Sequence, residues 1–128
     1  MASLVIEAPD LVVRLSQIEQ LAALRGDVHV PLSCVRNVSE EDDPYTALRG
    51  IRAPGTGVPR RLAYGVRLFT GGCPDFAALH GAGPAVRVEL CAEAPFGRLL
   101  VTVDDVPAAV AALRAGVRQA QETRSAHP

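Results

Sequence analysis

The fold turns on DPYTALRGIRAPGTGVPRRLAYGVRL, residues 43–68, a Gly/Pro-rich loop that runs directly into an alternating strand. Leu62, Tyr64, Val66 and Leu68 alternate with Ala63, Gly65 and Arg67, the period-two pattern of a half-buried strand. Ahead of that strand, Pro44, Gly50, Pro54, Gly55, Gly57 and Pro59 work against regular structure, although Tyr45–Arg49 can close one helical turn. A loop of about fifteen residues is long for a compact domain, and such loops are usually functional or disordered. It carries Arg49, Arg52, Arg60 and Arg61, with Arg67 on the strand behind it, and no acid falls between Asp43 and Asp75. This is the stretch whose composition asks for a partner.

Working outward toward the N-terminus, Leu4–Glu7 and Leu11–Leu15 flank Ala8-Pro9-Asp10, two β-branched runs around a turn, which predicts a hairpin. Ser16-Gln17-Ile18-Glu19 is a capping box, in which hydroxyl and carboxylate each satisfy a backbone N–H left over at a helix start. Ile18, Leu21, Ala22 and Leu24 give that short helix an apolar face, and Gly26 supplies a left-handed stop. Val28, Val30, Leu32 and Cys34 then alternate with polar neighbours, and Pro31 assigns this strand to an edge or a bulge. Val35 and Val38 slip out of phase, which predicts a bulge or bend near Cys34. Glu40–Asp43 reads as a solvated strand end.

Toward the C-terminus, turn signals at Gly71–Pro74, Gly81–Pro84 and Ala94–Gly97 separate three further strands: Asp75–His80, one built on Val86, Val88 and Leu90, and one on Leu99, Val101 and Val103. That spacing predicts an antiparallel meander. Asp104-Asp105 opens a final helix with Pro107 in its first turn. Val106, Val110, Leu113 and Val117 form one apolar stripe along it. The helix should reach about Gln121, leaving 122–128 as a flexible polar tail. The fold class is therefore mainly β (α+β): an antiparallel, partly open barrel of about seven strands, with a short early helix and a C-terminal capping helix, in one domain over residues 1–121.

That order of elements resembles the bacterial pleckstrin-homology-like barrel. The segments VHVPLSCVRNV (28–38), LRGIRAPGTGVP (48–59), GVRL (65–68), DFAALHG (75–81), VRVEL (86–90) and FGRLLVTVDDVPAAVAAL (96–113) carry the resemblance. Together they are similar to small uncharacterised actinobacterial proteins. The resemblance implies a fold and no chemistry. The basic strand-loop with paired lysines of phosphoinositide-binding relatives is missing, which argues against lipid headgroup binding of that kind.

All thirteen basic residues are arginine, and the formal net charge is −1. Without lysine there is no Schiff-base chemistry, and a near-neutral chain has no global pull toward nucleic acid or anionic membrane. The chain start lacks the pattern of a signal peptide, and no apolar run approaches the roughly 18 residues of a membrane span. Three cysteines, Cys34, Cys73 and Cys91, fit a reducing compartment better than a disulfide framework, so the expected location is cytoplasmic. Few aromatics and no tryptophan argue against stacking on single-stranded nucleic acid.

Arg49, Arg52, Gly55, Thr56, Gly57, Arg60, Arg61 and Arg67 form the candidate binding set. Guanidinium forks bind phosphate or carboxylate, and glycines let backbone N–H groups approach an anion closely. The alternative is a folded-back loop whose arginines pair with Glu40–Asp43 or with water. His29, His80 and His127 share no metal-ligand spacing with the cysteines, so no metal or other cofactor is expected. Cys73 with His80 stays open as a catalytic pair. Phe76 and Phe96 read as core. The expected function is a non-catalytic module that binds a protein or peptide, or pairs with itself as a homodimer, through a sheet edge and the Arg-rich loop 44–61. The alternative is a small enzyme or carrier holding an anionic or apolar metabolite in the barrel mouth, with Tyr64, Arg67 and His80 as polar groups.

Overall fold

The structure, a computed structural model, describes residues 2–7, 9–23, 26–48, 51–52, 56–58, 62–68, 73–81, 83–91 and 94–125. The expected hairpin is present as β1 (Ser3–Glu7) and β2 (Asp10–Arg14), antiparallel with Val5 opposite Val12. Helix α1 (Gln17–Ala23) follows through the expected capping box: the Glu19 N–H donates to Ser16 Oγ at 3.2 Å, and the Ser16 N–H to Glu19 Oε1 at 3.0 Å. Ile18 does not supply an apolar face to this helix; it is 81 % exposed, and among the helix's described side chains the buried one is Glu19. Gly26 takes no left-handed φ; the described glycines that do are Gly65, Gly81 and Gly83.

Strand β3 (Val28–Pro31) pairs antiparallel with β2, completing a three-stranded sheet in the order β1-β2-β3. Pro31 sits at the end of an edge strand, where its missing N–H breaks no ladder. The slip in phase marks a change of sheet. A 3-10 turn at Leu32–Cys34 passes the chain to β4 (Val35–Glu41), whose pairing with a later strand skips a residue between Val35 and Asn37.

Helix α2 (Pro44–Ala47) is the single turn expected near Tyr45. The described parts of the rest of the loop are more regular than its Gly/Pro content suggests. Strands β5 (Ile51–Arg52) and β6 (Thr56–Val58) both fold back on β7 (Leu62–Leu68). Cross-strand hydrogen bonding to a well-formed strand outweighs the local preference of such short pieces. Strands β8 (Asp75–His80), β9 (Ala85–Leu90) and β10 (Arg98–Val101) follow as expected in position. Gly81 and Gly83, both left-handed, make the turn between β8 and β9.

Connectivity differs from the meander. The seven-stranded sheet runs β4-β9-β10-β8-β7-β5, with β6 also on β7. Strand β10 lies between β9 and β8, antiparallel to the first and parallel to the second, so the sheet is antiparallel but for one pair. Spacing of turns reports how often the chain reverses, not which neighbour a strand chooses. The described residues form ten strands because β4, β5 and β6 join the seven expected. The described strands form two sheets that do not close into a barrel.

The two sheets share one core. Leu11, Val13, Val28 and Val30 from the small sheet meet Phe76, Val86, Val88, Leu99 and Val101 from the large one. Helix α3 (Val106–Ser125) adds Val106, Val110 and Leu113, its expected stripe. It continues past Gln121 to Ser125, since no glycine or proline interrupts that stretch. Phe76 and Phe96 are core residues with ring centroids 5.7 Å apart. On the opposite face of the large sheet, Ala63, Ala77, Leu79, Ala85 and Leu100 form a second cluster under Tyr45, Ala47 and Leu48. No described helix is long and apolar enough to cross a membrane.

Candidate arginine groove and charged sheet face

The period-two alternation that buries Phe76 and Leu99 on one face sends Asp75 and Arg98 to the other. Strand register then lines up a row across six strands: Asn37 opposite Glu89, Glu89 opposite Arg98, Arg98 opposite Asp75, Asp75 opposite Arg67, and Arg67 opposite Arg52. Arg98 Nη2 lies 3.5 Å from Asp75 Oδ2 and also donates to the Ala47 carbonyl, which ties the α2 turn down onto the sheet. Both side chains are buried, so this guanidinium–carboxylate contact is desolvated, unlike a surface pair. Two residues along β9 from the row, on the same face, Arg87 donates to Glu89 at 2.7 Å and to Glu41 at 3.2 Å. The Glu89 contact is the larger cause holding the Arg87 guanidinium above its ordinary range, with burial working against it.

Of the expected site residues, the fold brings Arg52 and Arg67 into direct register and places Thr56 and Gly57 on neighbouring β6. Arg52, Thr56 and Gly57 are described by their backbone alone, and Arg49, Gly55, Arg60 and Arg61 lie outside the described residues. The described parts of the Arg-rich loop, β5 and β6, thus lie along one edge of the large sheet. Cys73 and His80 are not a pair: Cys73 precedes the start of β8 by two residues and His80 ends it, and the strand alone spans roughly 16 Å at about 3.3 Å per residue. The cysteines that do come together are Cys34 and Cys91, whose backbones meet where the Cys91 N–H donates to the Cys34 carbonyl at 2.8 Å. Among the described residues no three His, Cys, Asp or Glu side chains gather as a metal site would need.

A second basic feature went unread in the sequence. Strand β4 and helix α3 enclose a groove of about 240 Å³ lined by Arg36, Asn37, Arg114, Arg118 and Gln121 over Val35, Val38 and Val117. It holds three guanidinium groups and no acid. An adjoining cleft of about 440 Å³ shares Arg36 and Asn37 and ends on Glu89 and Arg98 of the charged row. Arg36 and Arg118 have no hydrogen-bond or ion-pair partner among the described residues, while Arg114 Nε donates to the Val38 carbonyl at 2.7 Å. Arg114, Arg118 and Gln121 recur at i, i+4 and i+7, a polar stripe beside the apolar one, and this spacing was the available signal. Arg36, seventy-eight residues earlier than Arg114, gave none.

The Arg114 contact bears on what the β4 edge can do. The Leu90 N–H donates to Gly97, toward β10, and alternate residues of an antiparallel strand face the same way. Val88 therefore also faces β10, and Val38 opposite it turns its carbonyl to the open edge, where Arg114 takes it. The register shift at Arg36 and this guanidinium cap both interrupt the edge as a template for a further strand.

Away from these surfaces, Tyr64 OH donates to Glu19 Oε2 at 3.0 Å, with both residues buried. Burial pushes the Glu19 carboxyl up, but hydrogen bonds from Ser16 and Tyr64 outweigh it and leave the group below its ordinary value. Burial, then the facing carboxylate, drives the Tyr64 phenol well above its ordinary value. The pair clamps α1 to β7 and is structural.

Comparison with protein-family models, characterised proteins and solved structures gives no match to this chain.

Proposed function

We propose that this protein is a non-catalytic binding module whose β4–α3 groove holds an acidic segment of a protein partner. The observation that carries this reading is a groove with three guanidinium groups, two neutral amides and no carboxylate in its lining. Guanidinium forks match carboxylate geometry, and Arg114 is pre-oriented by its bond to the Val38 carbonyl. Recognition is by side chains, because the bulge and the Arg114 cap disfavour strand addition at this edge. The Arg-rich segment at the other end of the sheet, with Arg52 and Arg67, is a secondary candidate of the same chemistry.

The space between the sheets is filled by side chains such as Leu11, Phe76 and Leu99, none measurably exposed, which favours a surface binder over a carrier with its ligand inside. Two packed sheets with a terminal helix against them support the pleckstrin-homology-like affiliation; the parallel β8–β10 pair is where the chain departs from the expected antiparallel pattern.

Titrating ¹⁵N-labelled protein with a polyglutamate peptide tests the site. Amide shifts should move at residues 35–38 and 114–121 and be lost in Arg36→Gln/Arg118→Gln. Shifts confined to 51–58 and 67 would transfer the site to the Arg-rich edge, and no shifts at all would end the reading.

A further inference from the structure

Strand β4 carries both halves of an ionic contact on one edge. Its first part, with Arg36, borders the acid-free arginine groove. Its far end runs into Glu40, Glu41 and Asp42. Glu41 is taken by Arg87, but Glu40 and Asp42 are exposed and have no hydrogen-bond or ion-pair partner among the described residues. The two poles are about 13–20 Å apart along the strand, at about 3.3 Å per residue. They lie on the outermost strand of the sheet, with no other described strand beyond it.

An edge that is basic at one end and acidic at the other is self-complementary under a two-fold rotation. If two copies face each other with β4 antiparallel and the axis near Ser39, Arg36 of each lies opposite Asp42 of the other, and Arg114 and Arg118 flank the same acidic end. The contact is isologous, so every ion pair occurs twice. We infer that the acidic segment received by the arginine groove is residues 40–42 of a second copy of this chain, giving a two-fold dimer across the β4 edges. This rests on the reading of the groove as an acid receptor and names its partner.

The capped Val38 carbonyl prevents the two seven-stranded sheets from joining as one continuous ladder across the axis, so the dimer is held by charged side chains. Exposed ion pairs are individually weak and screened by salt. The dimer is therefore a high-concentration, low-salt species.

Sedimentation equilibrium on the full chain, from micromolar to millimolar, tests this at about 50 mM and about 1 M NaCl, where the screening length falls several-fold. The expected result is dimer at low salt, with a dissociation constant at least about tenfold higher in 1 M NaCl, a change of about 1.4 kcal/mol. Arg36→Glu/Arg118→Glu and Glu40→Arg/Asp42→Arg should each be monomeric and folded by circular dichroism, since all four side chains are exposed. Mixing the two should restore a heterodimer, because each reversed pole then meets its opposite; loss of fold cannot mimic that rescue. A monomer under every condition overturns the inference, as does a dimer indifferent to salt and charge reversal, or a mixture that stays monomeric. If the chain is monomeric while polyglutamate still shifts residues 35–38 and 114–121, the dimer fails and the acid-binding groove stands.

Discussion

Replacing Tyr64 by Phe removes one hydroxyl and leaves the ring, so it isolates a single buried hydrogen bond. Tyr64 is 7 % exposed and Glu19, whose Oε2 accepts from it at 3.0 Å, is 6 % exposed. Hydrogen bonds to charged groups contribute about 1.5–3 kcal/mol, so the variant should lose about 2 kcal/mol at pH 7. For a chain of this length that corresponds to a fall in Tm of roughly 6–10 °C. The pH dependence supplies the sharper reading. Because the folded-state pKa of Glu19 lies below its ordinary value, its carboxylate contributes stability at neutral pH that is lost as pH falls through the folded-state pKa. In the variant burial persists while one compensating hydrogen bond is gone, so the Glu19 carboxyl moves up. The gap between the two proteins should narrow as pH falls through the folded-state pKa of Glu19, to about 1 kcal/mol or less once the carboxyl is neutral and offers only an ordinary hydrogen bond. Urea unfolding followed by far-ultraviolet circular dichroism at several pH values measures it. A gap that stays constant through the acid limb until Glu19 is protonated, or one below about 0.5 kcal/mol throughout, would refute the assignment of a charged acceptor to Tyr64.

The phenols themselves should report burial: Tyr64 and Tyr45 are the chain's two tyrosines, and burial raises both above 10.0. Native protein should show no absorbance step at 295 nm near pH 10, while protein in guanidinium should titrate normally. Since raised phenols contribute stability below their unfolded pKa and lose it as pH rises through the folded values, alkaline unfolding should accompany the step. Gly116 in α3 faces Ile6 of β1, and a Cβ there would run into Ile6 Cδ1. Gly116→Ala alone should therefore fail to deliver the gain of about 1 kcal/mol that alanine brings to a helix interior, whereas in an Ile6→Val background, which lacks Cδ1, thermal melts should show it.

What could be read from the chain was what short-range pattern encodes. The capping box at Ser16–Glu19, the alternation of Leu62–Leu68 and the stripe Val106–Leu113 each follow from a period or a local hydrogen bond. The turn at Leu32–Cys34 was legible as a slip in phase, though not as a transfer between sheets, because phase says which way a side chain points and not which neighbour the backbone meets. Long-range choices were hidden for the same reason. Nothing local distinguishes Arg98, buried against Asp75, from Arg118 in the open, and the groove exists only once β4 and α3 are side by side. The emphasis on residues 49–61 followed density of arginine along the chain, whereas the groove concentrates it in space.

Strand β10 comes after the other described strands in chain order, yet it lies in the interior of the sheet, between β8 and β9. Until residues 98–101 have emerged, one partial sheet built on β7–β8 and another built on β4–β9 have no hydrogen-bonded seam to join them. Each offers an unfilled flank to any other extended chain nearby. The nascent protein is therefore most exposed to mispairing just before residues 98–101 emerge, and a chain stopped short of Arg98 would consist of two halves without their common member.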